Sequence, residues 1–104
     1  RSRKAYLPPA THWAASSTDP NLPPMGMRVR LKASYVIPAT FSAQTRVLLQ
    51  AMKTYGMIVA DNGSNWYVSG APDSRWDNDR LVSELAQVRG REFEVVRIEG
   101  LVTP

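Results

Sequence analysis

Proline is distributed unevenly along this chain, and that constrains the fold more than any other feature. Six of the eight prolines, Pro8, Pro9, Pro20, Pro23, Pro24 and Pro104, fall near the termini. Each removes a backbone donor and locks φ, so residues 1–26 cannot form a regular helix. Within them, Ser16-Ser17-Thr18-Asp19-Pro20 reads as a turn. Tyr6, Leu7, His12, Trp13 and Leu22 are scattered through the stretch, which is expected to be an irregular arm packed down by its Trp and Tyr, with room for a short strand near residues 4–7.

Beyond the arm, periodicity takes over. In residues 27–36, Met27, Val29, Leu31, Ala33 and Tyr35 alternate with Arg28, Arg30, Lys32 and Ser34. Period-two alternation predicts a strand with the first set on the core and the second in solvent. Ser42 is a good N-cap, and Val47, Leu48, Ala51, Met52 and Tyr55 follow at helical spacing, which predicts a helix over 43–54 ended by Gly56. Met57-Ile58-Val59-Ala60 is a continuous apolar run, as expected of a central strand covered on both faces. A turn over 61–64 and a strand at Trp66-Tyr67-Val68 come next. A second helix over 78–88, capped by Asp77 or Asn78, has Leu81, Val82, Leu85 and Val88 as its stripe and Gly90 as its end. Residues 93–98 close the order as a strand. At 104 residues this amounts to a single α+β domain, 1–104, with an arm over 1–26 and a core over 27–100. Its expected form is a small mixed β-sheet or barrel with two helices packed outside.

Composition narrows the chemistry. There is no cysteine, which excludes disulfides, thiolate metal sites and a cysteine nucleophile. The one histidine has no carboxylate cluster around it in sequence, so neither a metal nor a cofactor is expected. No apolar run reaches the ~18–20 residues of a membrane span, and no membrane partner is expected. Ten of the thirteen basic residues are arginine, and the formal charge is +4. That mild excess favours polyanions without requiring one.

Four features carry possible chemistry. Asp61-Asn62-Gly63-Ser64-Asn65 follows the apolar run, so Asp61 could act as a general acid beside Trp66 and Tyr67; a plain hairpin turn explains the same residues. Asp73, Asp77 and Asp79, beside Arg75 and Trp76, could share acid and base work on a glycosidic bond, or could simply cap a helix; their spacing is not that of a helix-loop-helix calcium site. Arg28, Arg30 and Lys32, spaced about 7 Å apart on one strand face, could track a phosphate or uronate chain, or could be an ordinary solvated face. Trp13, Trp66, Tyr67 and Trp76 could stack on sugar rings or bases, or could be core. Asn62-Gly63-Ser64 also matches a glycosylation acceptor.

Residues 19–31, then Tyr55-Gly-Met-Ile-Val-Ala-Asp-Asn-Gly63 and Gly70, resemble the double-psi β-barrel group of expansins and lytic transglycosylases. That resemblance implies a six-stranded double-psi-like β-barrel. It also implies a groove in which Asp61 is the acid, His12 lies nearby, and Asp73 is the nearest counterpart of a second aspartate. The blocks Pro23-Pro24-Met25-Gly26, Tyr55–Ser64 and Arg75–Asp79 resemble the C-terminal part of uncharacterised secreted bacterial proteins. This second resemblance implies an extracellular setting. With Arg1 as the first residue, it implies a fragment or processed product whose N-terminal part could complete the site.

The expected function is an extracellular domain that binds or cleaves a polysaccharide. Asp61, Asp73 and His12 are its candidate catalytic residues, and Trp66, Trp76, Tyr67, Asn65 and Arg75 its candidate substrate contacts. The alternatives are a non-catalytic portion of a larger secreted protein, or a polyanion or nucleic-acid binder using the basic strand face. A polysaccharide is placed ahead of nucleic acid as partner. The oligomeric state is left open.

Overall fold

The computed structural model describes residues 1–62 and 68–104. Its elements are β1 (Arg28–Leu31), α1 (Ala43–Thr54), β2 (Met57–Ile58), α2 (Asn78–Leu85), a 3-10 turn (Gly90–Glu92) and β3 (Phe93–Val95). The fold is α+β. The strands form an open antiparallel sheet in the order β2-β1-β3, with Arg28 opposite Ile58 and Val29 opposite Met57. No helix among the described residues is long and apolar enough to cross a membrane. The chain divides into two compact units, one of residues 1–29, 57–67 and 95–104, the other of 30–56 and 68–94.

In the first unit the arm is packed, as its aromatic content predicts. Ser2, Ala5, Leu7 and Met25 are buried. Proline denies these segments a ladder of their own, so their backbone groups pair with distant ones. Leu7 N–H donates to Met25 O at 2.7 Å, Met25 N–H donates to Ala5 O, and Tyr6 exchanges two bonds with Val102. The strand expected at residues 4–7 is reduced to these bridges at Tyr6. Gly26 joins the arm to the sheet. Its φ is +81°, its N–H donates to Val59 O at 2.8 Å, and a Cβ there would lie 2.0 Å from Leu7 O. Only glycine fits such a site.

The second unit holds both helices, which contact each other. Ser42 caps α1 through its side chain, and Gly56 at φ +78° follows the C-cap, both as predicted. The buried face of α1, however, is Thr45, Leu49 and Met52 with half-buried Leu48, an i, i+4, i+7 row. Val47 and Tyr55 are 65% and 72% exposed, so the expected stripe was rotated off the true one. On α2 the buried residues are Leu81 and Glu84, Val88 is buried just beyond its end, and Val82 faces solvent. A glutamate therefore takes a position that periodicity would assign to an apolar side chain.

Other expectations are corrected. The strand read over 27–36 has the right phase but ends at Leu31, because Lys32 O accepts from Tyr35 N–H in a turn and Lys53 Nζ donates to Ala33 O and Tyr35 O. The run at 57–60 forms an edge strand of two residues with an exposed Ile58, and β1 is the central strand. Gly90 does not end α2, whose last turn tightens through Gln87 N–H to Glu84 O and Val88 N–H to Leu85 O; Gly90 instead opens the 3-10 turn. The closing strand stops at Val95, short of Ile98. Val68 is exposed and outside any strand, and Trp66 and Tyr67 lie outside the described residues.

Candidate functional site

Asp61 and Asn62 follow the edge strand in the first unit. Asp61 is exposed, and its Oδ1 accepts the Asn62 N–H at 2.7 Å. The rest of the turn expected over 61–64 lies outside the described residues. Asn62 is the more heavily engaged of the two. Its Oδ1 accepts from the Ser2 amide at 2.6 Å and the Ser2 hydroxyl at 2.9 Å, and its Nδ2 donates to Ala14 O at 3.1 Å. The nitrogen of the glycosylation motif thus helps to fix the arm. Asn65, Trp66 and Tyr67, the expected aromatic wall and polar partner of Asp61, lie outside the described residues.

His12, in the same unit, is exposed and hydrogen-bonded to the Thr11 hydroxyl at 3.3 Å. Trp13 tilts against Tyr6, with ring centroids 6.0 Å apart, and Lys4 Nζ stands 6.0 Å from the Trp13 ring centre. At that range the ammonium gains a modest attraction from the ring.

The Asp73 group belongs to the second unit. Asp73 accepts from Arg75 at both oxygens, Nε to Oδ1 at 3.0 Å and Nη2 to Oδ2 at 2.7 Å, and Oδ1 also accepts the Arg75 N–H. The Arg75 guanidinium and amide hold the Asp73 carboxyl below the usual range. Asp73 therefore stays ionised and suits electrostatic work better than proton donation. Trp76 is half-buried and donates from Nε1 to Ala71 O at 3.2 Å. Asp77 caps α2 by accepting from Arg80 N–H. Gln44 of α1 clamps this loop, donating to Arg75 O and accepting from Asp77 N–H. The capping explanation thus holds for Asp77, while Asp73 is taken up by Arg75.

The basic strand face is not an unbroken row of cations. Arg28 and Arg30 are exposed and Lys32 is half-buried, but Arg30 Nε is bonded to Glu94 Oε1 at 2.7 Å. Arg28 instead lines a cleft of about 220 Å³ in the first unit, together with Leu7, Pro8, Pro9, Gly26, Val96, Arg97 and Glu99. In the sequence Pro8 and Pro9 read only as helix breakers, and Arg97 falls within the closing strand expected over 93–98. Nothing in their local pattern brings arm and tail together.

Glu84 was also missed. Its carboxylate is buried at 6% exposure, yet Ser42 N–H donates to both its oxygens, at 3.1 and 2.9 Å, and the Thr45 hydroxyl donates at 2.7 Å. Burial raises its proton affinity. The bonds from Thr45 and Ser42 and the nearby Arg80 outweigh that and hold the pKa below the ordinary value. A helix that starts Ser-x-x-Glu caps its own first amide. Here the third residue after Ser42 is Thr45, and α2 supplies the missing carboxylate. No group of three or more His, Asp or Glu among the described residues could hold a metal ion.

A comparison with known protein families, curated proteins and solved structures finds no match.

Proposed function

We propose that the chain is an extracellular domain that binds a polysaccharide. The observation that carries this reading is the first-unit cleft. Leu7, Pro8, Pro9 and Val96 line it with apolar side chains, and Arg28, Arg97 and Glu99 add charged ones. Apolar walls with a few polar groups are how ligand sites are built. At about 220 Å³ the cleft is smaller than the ~300–1,000 Å³ that encloses a whole small ligand, which suits a site that holds one stretch of a chain.

Binding is favoured over cleavage. Asp61 stands in solvent with one oxygen on the Asn62 amide, and Asp73 is held ionised by Arg75. A glycosidase needs one carboxyl that keeps its proton near the scissile oxygen. The six-stranded barrel implied by the resemblance belongs with this proposal, and the short pairings of Tyr6 with Met25 and Val102 beside the sheet support it.

The test is an affinity screen of the purified chain against neutral and acidic polysaccharides, with reducing ends measured in parallel. Saturable binding without new reducing ends is the expected result. Reducing ends released by the wild type and lost in Asp61→Asn would restore the enzyme reading. Failure to bind any polysaccharide would leave the chain as a structural portion of a larger protein.

A further inference from the structure

Building on the polysaccharide reading of the cleft, we propose that its ligand is an acidic glycan whose uronate carboxylate binds Arg97, in the place that Glu99 occupies in the free protein. Arg97 and Glu99 line the same cleft, with Nε 3.0 Å from Oε1. Their side chains are 85% and 70% exposed. So solvated a pair contributes little to folding and exchanges readily. Glu99 presents to Arg97 the functional group that a uronate would present, and a guanidinium recognises a planar carboxylate through parallel N–H donors. Arg28 brings a second positive charge to the cleft, while the faces of Leu7, Pro8, Pro9 and Val96 suit the C–H face of a sugar ring. Binding then exchanges one ion pair for another, with no covalent step. A neutral sugar offers Arg97 no carboxylate, so only an acidic glycan gains the charge-assisted contact with the guanidinium.

The experiment is calorimetric titration of the full chain with oligogalacturonate, with neutral galactan oligomers of equal length, and with a single-stranded DNA oligonucleotide of matched charge. Arg97→Gln should weaken oligogalacturonate about threefold. Glu99→Gln should tighten it about threefold, because the competitor is gone. Asp19→Asn is the control, since it removes the same charge in the same unit and its side chain can still accept the Asn21 N–H. It should change nothing. Equal tightening by Glu99→Gln and Asp19→Asn would overturn the proposal in favour of diffuse charge. Galactan bound as tightly as oligogalacturonate, and indifferent to Arg97→Gln, would overturn the acidic ligand while leaving the polysaccharide reading intact. DNA bound more tightly than either glycan, or neither glycan bound, would defeat the polysaccharide reading itself.

Discussion

The two units hold themselves together by different means. The first has few regular elements, and its buried residues, Ser2, Ala5, Leu7 and Met25, sit where irregular segments exchange backbone hydrogen bonds. The second carries both helices. Leu31, Phe41, Leu49, Met52, Leu81 and Val88 are buried there, and Glu84 bonds α2 to the start of α1. Side-chain burial governs where the sequence is periodic, and backbone pairing governs where proline interrupts it. The irregular unit also carries the cleft, in keeping with the tendency of binding residues to lie on loops.

Substitutions can break this contrast or sharpen it. The largest effect is expected from Gly26→Ala. Forcing a Cβ into a left-handed site against Leu7 O combines backbone strain with overpacking, for a loss of about 3–5 kcal/mol in urea unfolding. A loss under 1 kcal/mol would show that backbone closeness does not govern the first unit. Leu49→Ala in the second unit should cost about 3 kcal/mol through the cavity it leaves, since Leu49 is fully buried.

Glu84→Gln should have a smaller effect at neutral pH, because the amide oxygen keeps some of the bonds from Ser42 and Thr45. Its sharper signature is in acid. The folded pKa lies below the ordinary ~4.3, so the stabilisation is complete above that value and is lost as pH falls through the folded pKa. Acid unfolding of Glu84→Gln should therefore be less steep than that of the wild type. Identical acid limbs would contradict the role given to this carboxylate. The smallest effects separate the two glycines expected to end helices, of which only Gly56 does. Gly56→Ala should cost about 1 kcal/mol because its φ is +78°, whereas Gly90→Ala should stay within about 0.5 kcal/mol.

Much of the second unit was legible in the sequence. Ser42, Asp77 and Gly56 mark their helix ends by local chemistry, and the structure uses all three. The β1 phase was legible too, since alternation fixes which side chains point together. The α1 stripe was misplaced because Thr45, buried by its bonds to Ser42 and Glu84, does not count as apolar in a hydrophobic pattern. Glu84 stayed hidden for the same reason, although Ser42 without a glutamate three residues later was a usable hint that the cap is completed from elsewhere. The cleft could not be read at all. Its residues come from positions 7–9, 26–28 and 96–99, and only long-range backbone pairing brings such segments together. The aspartate motifs were legible as chemistry but not as environment, because a carboxylate's partners, such as Arg75 on Asp73, decide what it can do.

The most direct test follows backbone amide NMR shifts of the full chain during titration with oligogalacturonate. The account predicts that the shifts cluster in the first unit, at Leu7, Gly26, Arg28, Val96, Arg97 and Glu99. Shifts centred instead on Asp73, Arg75 and Trp76 would move the site to the second unit and contradict it.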